Sequence, residues 1–259
     1  MKLSSNPKLF QQRVKDAPIS GNIDNPEGGF DGLVQVMVCD DVIGWRKEAR
    51  RVIIFTTDQS FHIALDGKLG GLVLPNDGKC HLNDTGFYTH STIQDYPSIG
   101  QVNYLAEKHR VSVIWAVTAD QFDLYSSVTT LVEGSTAGII SADSSNIVDL
   151  VKKQYETITT TIKVQANSSQ TCDIAITSKC KDGGEECHNI ELGTPVDFNL
   201  TVTLKECVPD TIVVTPVGLK DQLIVEVEPI CSCPCHDEEI PEEKVCNSAL
   251  CNMQGNGFA

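Results

Sequence analysis

The stretch Val111-Ser-Val-Ile-Trp-Ala-Val-Thr118 is a nearly continuous apolar run. Two further runs of this kind lie before and after it in the chain, Arg51-Val-Ile-Ile-Phe-Thr-Thr-Asp58 and Thr136-Ala-Gly-Ile-Ile-Ser141. Continuous apolar runs of this length are typical of strands that are buried on both faces of a parallel sheet. The three runs therefore predict strands of an α/β domain.

Amphipathic stretches lie between and after these runs. Apolar residues recur there at helical spacing, in three sets: Phe30, Leu33, Val34, Met37 and Val38; Ile99, Val102, Leu105 and Ala106; and Ile147, Leu150, Val151, Tyr155 and Ile158. Such stripes are usually core-facing rather than functional. Alternating strands and helices predict an α/β fold with a mainly parallel sheet, whose ligands bind beyond the carboxyl ends of the strands. Asp58 follows such a strand end.

The sequence pattern changes near Thr159. Residues 159–231 alternate apolar and polar positions, as in Phe198-Asn-Leu-Thr-Val-Thr-Leu204, with turn signals between the segments. This pattern predicts antiparallel strands arranged in a β-sandwich. From Cys233 onward the chain is poor in apolar residues and rich in cysteine, which is typical of a small module held by disulfides.

Length and charge restrict the possible partners. A chain of 259 residues is long enough for about two domains. The net charge of −15 disfavours nucleic acid as a partner, because phosphate binding needs a basic face. No segment approaches the roughly 20 apolar residues of a membrane span. The N-terminus has no apolar core of a signal peptide, so we expect neither feature in this chain.

The cysteines are concentrated in the second half, where nine of the 11 lie from Cys172 onward. This density predicts disulfides and an oxidising compartment. Glycosylation sequons at Asn83, Asn167 and Asn199 agree with that compartment. The run Cys231-Ser-Cys-Pro-Cys-His236 also allows a zinc site, but it lacks a convincing second pair of ligands, so disulfides are favoured.

Residues 20–29 read Ser-Gly-Asn-Ile-Asp-Asn-Pro-Glu-Gly-Gly. The segment from Asn22 to Glu27 offers an amide, two carboxylates and a carbonyl held by Pro26, and hard divalent cations prefer oxygen ligands of this kind. Spacing alone favours a polar turn with Glu27 at a helix N-terminus. Asp58 has the same two interpretations, as a loop acid or as a second carboxylate of a cation site.

The run Ser20–Leu33, followed by Cys39 and Ile43-Gly-Trp-Arg46, resembles the integrin β subunit. Matching motifs continue over nearly the whole chain, at residues 55–58, 63–71, 74–81, 95–98, 144–146, 214–219 and 231–235. The resemblance implies three pieces. They are the later part of a Rossmann-like I-like (A-type) domain at 1–158, the second half of the hybrid β-sandwich domain at 159–232, and the start of the first EGF-like module at 233–259.

The same resemblance makes the cation interpretation the favoured one. It implies that Asn22, Asp24, the carbonyl of Pro26 and Glu27 form a Ca²⁺ site. It also implies that Glu27 belongs to a central Mg²⁺ site, that Asp58 is shared between this site and an outer Ca²⁺ site, and that the carbonyl of Ala142 can cap the outer site; Mn²⁺ can substitute. Residues 1–30 contain no match to the family's D-x-S-x-S motif. We therefore expect the central Mg²⁺ site to be incomplete in this chain.

Disulfide pairs are implied in the same way: Cys39 with Cys80, Cys180 with Cys187, and Cys207 with Cys231. Cys233 matches a cysteine whose partner lies in a missing N-terminal module, so we expect it to be free or mispaired. Cys172 has no assigned counterpart. The remaining cysteines, Cys235, Cys246 and Cys251, belong to an unfinished module.

The function implied by the resemblance is that of a cell-adhesion receptor and not of an enzyme. The chain would be a segment of a β subunit on the extracellular side of the plasma membrane. That subunit pairs with an integrin α subunit, binds an acidic side chain of its ligand through the cation and signals; only missing parts of the parent chain would contact the membrane.

Two alternatives stay open. One is a shortened isoform that acts as an interaction module without ligand binding. The other is a metal-dependent hydrolase that uses Asp24 and Glu27 as acid and base. The hydrolase would need a nucleophile or a histidine beside these acids, and none is near them in sequence.

Overall fold

The computed structural model of the chain describes residues 2–18, 24–47, 49–167, 169–180, 184–191, 193–219 and 221–230. The chain divides into two compact units. Unit 1 comprises Met1–Thr160 with Val217–Lys220, and unit 2 comprises Thr161–Pro216 with Asp221–Ala259. The sequence pattern did not predict that Val217–Lys220 belongs with the first unit. The predicted boundary after Ile158 falls inside a helix that ends at Thr160.

Unit 1 contains the predicted strands and helices. Its helices are α1 (Pro7–Lys15), α2 (Gly29–Val38), α3 (Asp40–Ile43), α4 (Ile99–His109), α5 (Phe122–Thr129) and α6 (Ile147–Thr160), and its strands are β1 (Arg51–Thr57), β2 (Val111–Val117) and β3 (Thr136–Ile139). A 3-10 helix, here called the exposed turn, spans Asp66–Gly70. The third strand is shorter than its apolar run, and α5 did not emerge from the sequence pattern.

The sheet of unit 1 is parallel and has the order β1-β2-β3. All seven residues of the central strand β2 are buried. Trp115 belongs to the cluster built with α2, α4 and α5, whereas Ile114 belongs to the cluster built with α6. Helices therefore cover both faces of β2, which explains why this strand reads as a continuous apolar run. The prediction of an α/β fold with a parallel sheet is confirmed for this unit.

Aromatic rings form the centre of the larger cluster. Phe30 at the start of α2 stacks on Phe61, with ring centroids 4.3 Å apart. Trp115 lies 5.2 Å from Phe55 and 5.6 Å from Tyr125, measured between centroids. These contacts hold α2, the segment after β1 and α5 against one face of the sheet. They contribute packing energy beyond the burial of apolar area.

Residues 71–98 contain no helix or strand, although all of them are described. Side-chain contacts, and not the pairing of strands, hold this loop in place. The Cys39–Cys80 disulfide joins this loop to the end of α2. The Gln35 side chain of α2 donates to Lys79 O at 3.0 Å and accepts from His81 N at 2.6 Å. The long loop is thereby tied to α2 at several points.

Unit 2 is built from antiparallel strands: β4 (Ile162–Ala166), β5 (Cys172–Ser178), β6 (Glu186–Cys187), β7 (Phe198–Leu204), β8 (Asp210–Pro216) and β9 (Leu223–Val227). One sheet has the order β6-β4-β8-β9 and the other pairs β5 with β7. Residues of both sheets meet in one apolar cluster centred on Ile176, Ile212 and Val214. The assignment of this unit to half of a hybrid domain stays a prediction.

Two of the three disulfides that the resemblance implies lie within the described residues, and both are present. Cys39 is bonded to Cys80, and Cys180 to Cys187. Cys207 is disulfide-bonded, but its expected partner Cys231 lies outside the described residues. Cys172 is free and buried. The expectations for Cys233, Cys235, Cys246, Cys251 and the EGF-like start at 233–259 also lie outside the described residues.

A membrane span was not expected from the sequence. Within the described part of the chain, no helix combines the length and the apolar character that crossing a bilayer requires.

Truncation of the central tryptophan tests this account of the core. Because Trp115 is fully buried, we expect Trp115→Ala to lower the free energy of unfolding by about 3–5 kcal/mol. The measurement is urea unfolding followed by far-UV circular dichroism. Tyr104→Ala is the control, since Tyr104 is 58% exposed and its truncation should change stability by no more than about 0.5 kcal/mol. Equal losses in the two variants would contradict the assignment of the core.

Candidate metal centre

The predicted cation ligands Asp58 and Ala142 lie at the carboxyl edge of the parallel sheet. Asp58 directly follows β1, and Ala142 lies in the loop after β3. Both residues are exposed. Since β2 separates β1 from β3, the two positions are offset by two strand spacings, about 10 Å along the edge.

The main chain of Glu27 is bound to the segment that follows β1. Glu27 N donates to Ser60 O at 2.9 Å, and His62 N donates to Glu27 O at 3.0 Å. Glu27 thereby forms an isolated parallel bridge with Phe61. The structure thus brings Glu27 to the edge of the sheet where Asp58 follows β1, and both residues are exposed.

Asp24 lies beside a histidine that the sequence analysis did not select. His62 Nε2 is 3.1 Å from Asp24 Oδ2, and His62 Nδ1 is 3.2 Å from Asp66 Oδ2. The imidazole ring also stacks on Tyr96, with centroids 4.6 Å apart and 12° between the ring planes. No histidine is near these acids in the sequence, but His62 is near Asp24 in space. In space, His62 joins Asp24 to the exposed turn.

The donor set fits a hard cation in its chemistry. Asp24, the Pro26 carbonyl and Glu27 offer only oxygen, which suits Ca²⁺ better than Zn²⁺. Asn22, the fourth expected ligand, lies outside the described residues. Among the residues that the structure does describe, no group of three or more histidines, cysteines or acids is arranged to hold a metal ion. The expected ligand set depends partly on an amide oxygen and a main-chain carbonyl oxygen. A group of histidines, cysteines and acids does not include ligands of these two kinds.

Asp95 shapes the exposed turn from the long loop. Its carboxylate is 5% exposed and accepts from Leu65 N at 2.6 Å, Gly67 N at 2.9 Å and Tyr96 N at 2.8 Å. Burial alone would raise the pKa of Asp95, but these N–H donors hold it below its ordinary value. Leu65 has a φ of 91°, which is unusual for a bulky residue. The hydrogen bonds to Asp95 therefore help to maintain a strained backbone.

Asp31 lies in the first turn of α2, close to the candidate site. Burial of its carboxyl group and the negative charge of Asp95 raise the pKa of Asp31 to about 6. Asn76 Nδ2 lies 3.5 Å from Asp31 Oδ1, at the limit of a hydrogen bond. The field of the helix N-terminus favours the charged form, so burial outweighs it here.

The loops after β2 and β3 add two acids that the sequence analysis did not select. Hydrogen bonds from Thr118 and Gln121 hold the pKa of Asp120 below its ordinary value. Backbone and side-chain hydrogen bonds from Ser145, with one from Ser141, do the same for Asp143. Both acids follow strands of the parallel sheet, so the rule on strand ends could have found them.

The three sequons differ in their surroundings, although all three asparagines are exposed. Asn83 Oδ1 accepts from Thr85 N, Thr85 Oγ1 and Phe87 N, so its amide caps a local turn. Asn167 Oδ1 accepts from Val213 N at 2.6 Å, which ties its side chain to β8. Asn199 lies in β7 opposite Thr177. Glycosylation at these positions stays a prediction.

Comparison with known proteins gives a consistent family. Residues 1–162 match a family model described as the integrin beta chain VWA domain. Integrin beta-PS of Drosophila melanogaster is 42% identical in an alignment of 248 positions that covers 92% of this chain and 29% of that protein. Integrin beta pat-3 of Caenorhabditis elegans is 40% identical in an alignment of 264 positions that covers 97% of this chain and 32% of that protein.

A vertebrate relative gives the same result. Integrin beta-6 of Bos taurus is 37% identical in an alignment of 263 positions that covers 98% of this chain and 33% of that protein. The chain therefore spans about a third of the length of the curated relatives that it matches.

The raised pKa of Asp31 predicts a specific pH dependence of stability. An acid whose pKa is higher in the folded state destabilises the fold above that pKa, and the penalty disappears below the unfolded value of about 4. We expect Asp31→Asn to stabilise the chain at pH 7 by about 1–2 kcal/mol, after allowance for solvent screening, and to have little effect at pH 4. Urea unfolding at both pH values measures this, and an equal effect of the substitution at the two pH values would contradict it.

Proposed function

Because this chain belongs to the integrin β family, we propose that it is the segment of an adhesion-receptor β subunit that carries divalent-cation ligands. The proposal places it on the extracellular side of the plasma membrane, in a heterodimer with an integrin α subunit. An oxidising compartment agrees with its two described disulfides. The parent subunit would bind an acidic side chain of an extracellular ligand and support cell-matrix adhesion and signalling.

The main-chain pairing of Glu27 with residues 60–62 is the observation that carries this proposal. This pairing brings the exposed residue Glu27, from the loop before α2, to the edge of the sheet where Asp58 follows β1. In the proposal, Asp24, the Pro26 carbonyl and Glu27 hold Ca²⁺, with Asn22 as a further ligand. Glu27 and Asp58 contribute to a neighbouring Mg²⁺ site, and the Ala142 carbonyl caps an outer Ca²⁺ site; Mn²⁺ would substitute.

A bound cation would supply positive charge for the capture of a ligand carboxylate. The residues of this chain orient and hold that charge at the sheet edge. The central site also needs the family's D-x-S-x-S motif, which residues 1–30 do not supply. We therefore propose that this chain alone binds Ca²⁺ more readily than Mg²⁺.

The loop after β3 gives a route for regulation. Asn146 Nδ2 donates to Ile139 O at 2.9 Å, and Asn146 Oδ1 accepts from Ser141 N at 2.8 Å. These bonds connect the loop of Ala142 to the start of α6. Helix α6 ends at Thr160 and the chain enters β4 at Ile162. A shift of the loop would thus reach the following unit through the covalent chain.

The exposed turn and its surroundings form the surface that we propose for the α subunit. Leu69 is 98% exposed, and Leu65, Val73 and Leu74 are 63%, 73% and 52% exposed. Large apolar side chains that lie close together on a surface are typical of protein interfaces. Asp95 holds this turn in shape, so its apolar surface is preorganised for a partner.

One observation bears on the hydrolase alternative: His62 contacts Asp24, so a histidine does lie beside one of the two acids. Both ring nitrogens of His62 face carboxylates, and its side chain is only 15% exposed. A general base needs a free nitrogen within reach of the proton that it removes. This arrangement suits a structural bridge between the two acids better than acid–base catalysis, and the family supports the receptor function.

Calcium titration tests the proposed cation site. We expect the parent chain to bind Ca²⁺ by isothermal titration calorimetry, and Asp24→Ala and Glu27→Ala each to weaken binding by about tenfold or more, because each removes a charged oxygen ligand. Asp120→Ala is the control, since Asp120 lies at the same sheet edge but outside the proposed ligand set. Identical heats from the parent and the two ligand variants would refute the site.

Co-expression with an integrin α subunit tests the proposed interface. We expect Leu69→Glu to abolish co-purification of the two chains, because it places a charge in the centre of the apolar surface. Leu131→Glu is the control, because Leu131 is 55% exposed but lies after α5, far from the turn in sequence. Circular dichroism of both variants verifies folding. Co-purification that survives Leu69→Glu would show that the α subunit binds elsewhere.

A further inference from the structure

We propose that His62 is a positioning residue that couples the segment from Asp24 to Glu27, here called the cation loop, to the exposed turn at Asp66–Gly70. In this proposal, Ca²⁺ at the loop orders the turn, and fixing the turn strengthens Ca²⁺ binding. The inference rests on the proposed Ca²⁺ site and adds a means of communication between that site and the surface for the α subunit.

The imidazole lies between two carboxylates of different segments. Its nitrogens are 3.1 Å from Asp24 Oδ2 and 3.2 Å from Asp66 Oδ2. The His62 side chain is 15% exposed, whereas those of Asp24 and Asp66 are 57% and 43% exposed. The ring is therefore the better-fixed member of the group. It constrains one oxygen of Asp24 and leaves Oδ1 available to a cation.

The ring is held from two further directions. The backbone N–H of His62 donates to Glu27 O, so the main chain of His62 also binds the cation loop. Its face stacks on Tyr96, whose backbone N–H donates to Asp95 Oδ1 at 2.8 Å. The same Asp95 carboxylate accepts from Leu65 N and Gly67 N of the turn. The turn and the imidazole thus share one buried support.

This arrangement forms a continuous physical path from the turn to the cation loop. Asp66 contacts the ring directly, and it also accepts from Ile63 N at 3.0 Å. Leu65, at the start of the turn, holds a strained backbone with φ of 91°. A strained segment held by a few hydrogen bonds can adopt a second arrangement when those bonds change. Coupling through such an element is reciprocal, so each site must affect the other equally.

The test compares His62→Phe with a matched substitution at a similar histidine. Phenylalanine keeps a ring for stacking on Tyr96 but removes both nitrogens. His81→Phe is the control, because His81 also contacts an acid four residues away, Asp77 at 2.9 Å, and also stacks on a ring, that of His90 at 3.6 Å. The control pair lies on the long loop and not beside Asp24.

Calcium titration of the 259-residue chain is the first measurement. We expect His62→Phe to weaken Ca²⁺ binding by about tenfold, the lower end for loss of a group that orients a metal ligand, because Asp24 is exposed. We expect His81→Phe to bind as the parent does. His62→Gln, which keeps one amide donor, should recover part of the affinity; it also carries the test if His62→Phe fails to fold.

Amide hydrogen exchange of residues 65–70 is the second measurement, and a general loss of stability would not mimic its result. We expect Ca²⁺ to slow exchange of the turn in the parent and in His81→Phe, but not in His62→Phe or His62→Gln at Ca²⁺ concentrations that saturate each variant. Saturation separates the coupling from the weaker affinity.

The possible outcomes separate this inference from the proposed function. Parent-like Ca²⁺ affinity and parent-like protection of the turn in His62→Phe would overturn the coupling and leave the cation site intact. An equal loss in His81→Phe would also overturn it, because the effect would then not depend on Asp24. A parent chain that gives no heat with Ca²⁺ would overturn both.

Discussion

Two main-chain hydrogen bonds of Glu27 fix the place of the candidate site on the fold. They join the loop before α2 to residues 60–62, the continuation of β1 beyond the edge of the sheet. Phe61 lies at the centre of this bridge and stacks on Phe30, which is fully buried. Phe61 also meets the buried Tyr125 ring edge to face, with centroids 5.3 Å apart, so aromatic contacts attach this bridge to the core. Rigid support of this kind is what a metal site on loops requires.

The fold of unit 1 was largely predictable because its buried elements have strong periodic patterns. Strand β2 is buried along its whole length, and the stripes of α2, α4 and α6 face the core, except that Tyr155 of α6 is 47% exposed. Helix α5 was missed because its eight residues are too few for a clear helical stripe, whereas α6 has 14 residues. The long loop at 71–98 could not be predicted in form, since a disulfide and side-chain hydrogen bonds fix it instead of a repeating pattern.

The candidate site was predictable in part, for a related reason. Asp24, Pro26 and Glu27 lie within one four-residue segment and Asp58 ends an apolar run, so local pattern and family resemblance select them as candidates. His62 and Asp95 contact residues far away in sequence: Asp95 accepts from Leu65 N, 30 positions earlier. Contacts of this kind join segments that are distant in the sequence, and no local pattern encodes them.

The acids around the candidate site differ in their hydrogen-bond partners and in their burial. Backbone N–H donors satisfy Asp95, and the imidazole of His62 bridges Asp24 and Asp66. Burial and the negative charge of Asp95 instead raise the pKa of Asp31 to about 6. Glu27 and Asp58 add exposed carboxylates to this negative region of a chain with a net charge of −15. A divalent ion at the sheet edge would lower the repulsion among these acids, so metal binding and the ordering of these loops should favour one another.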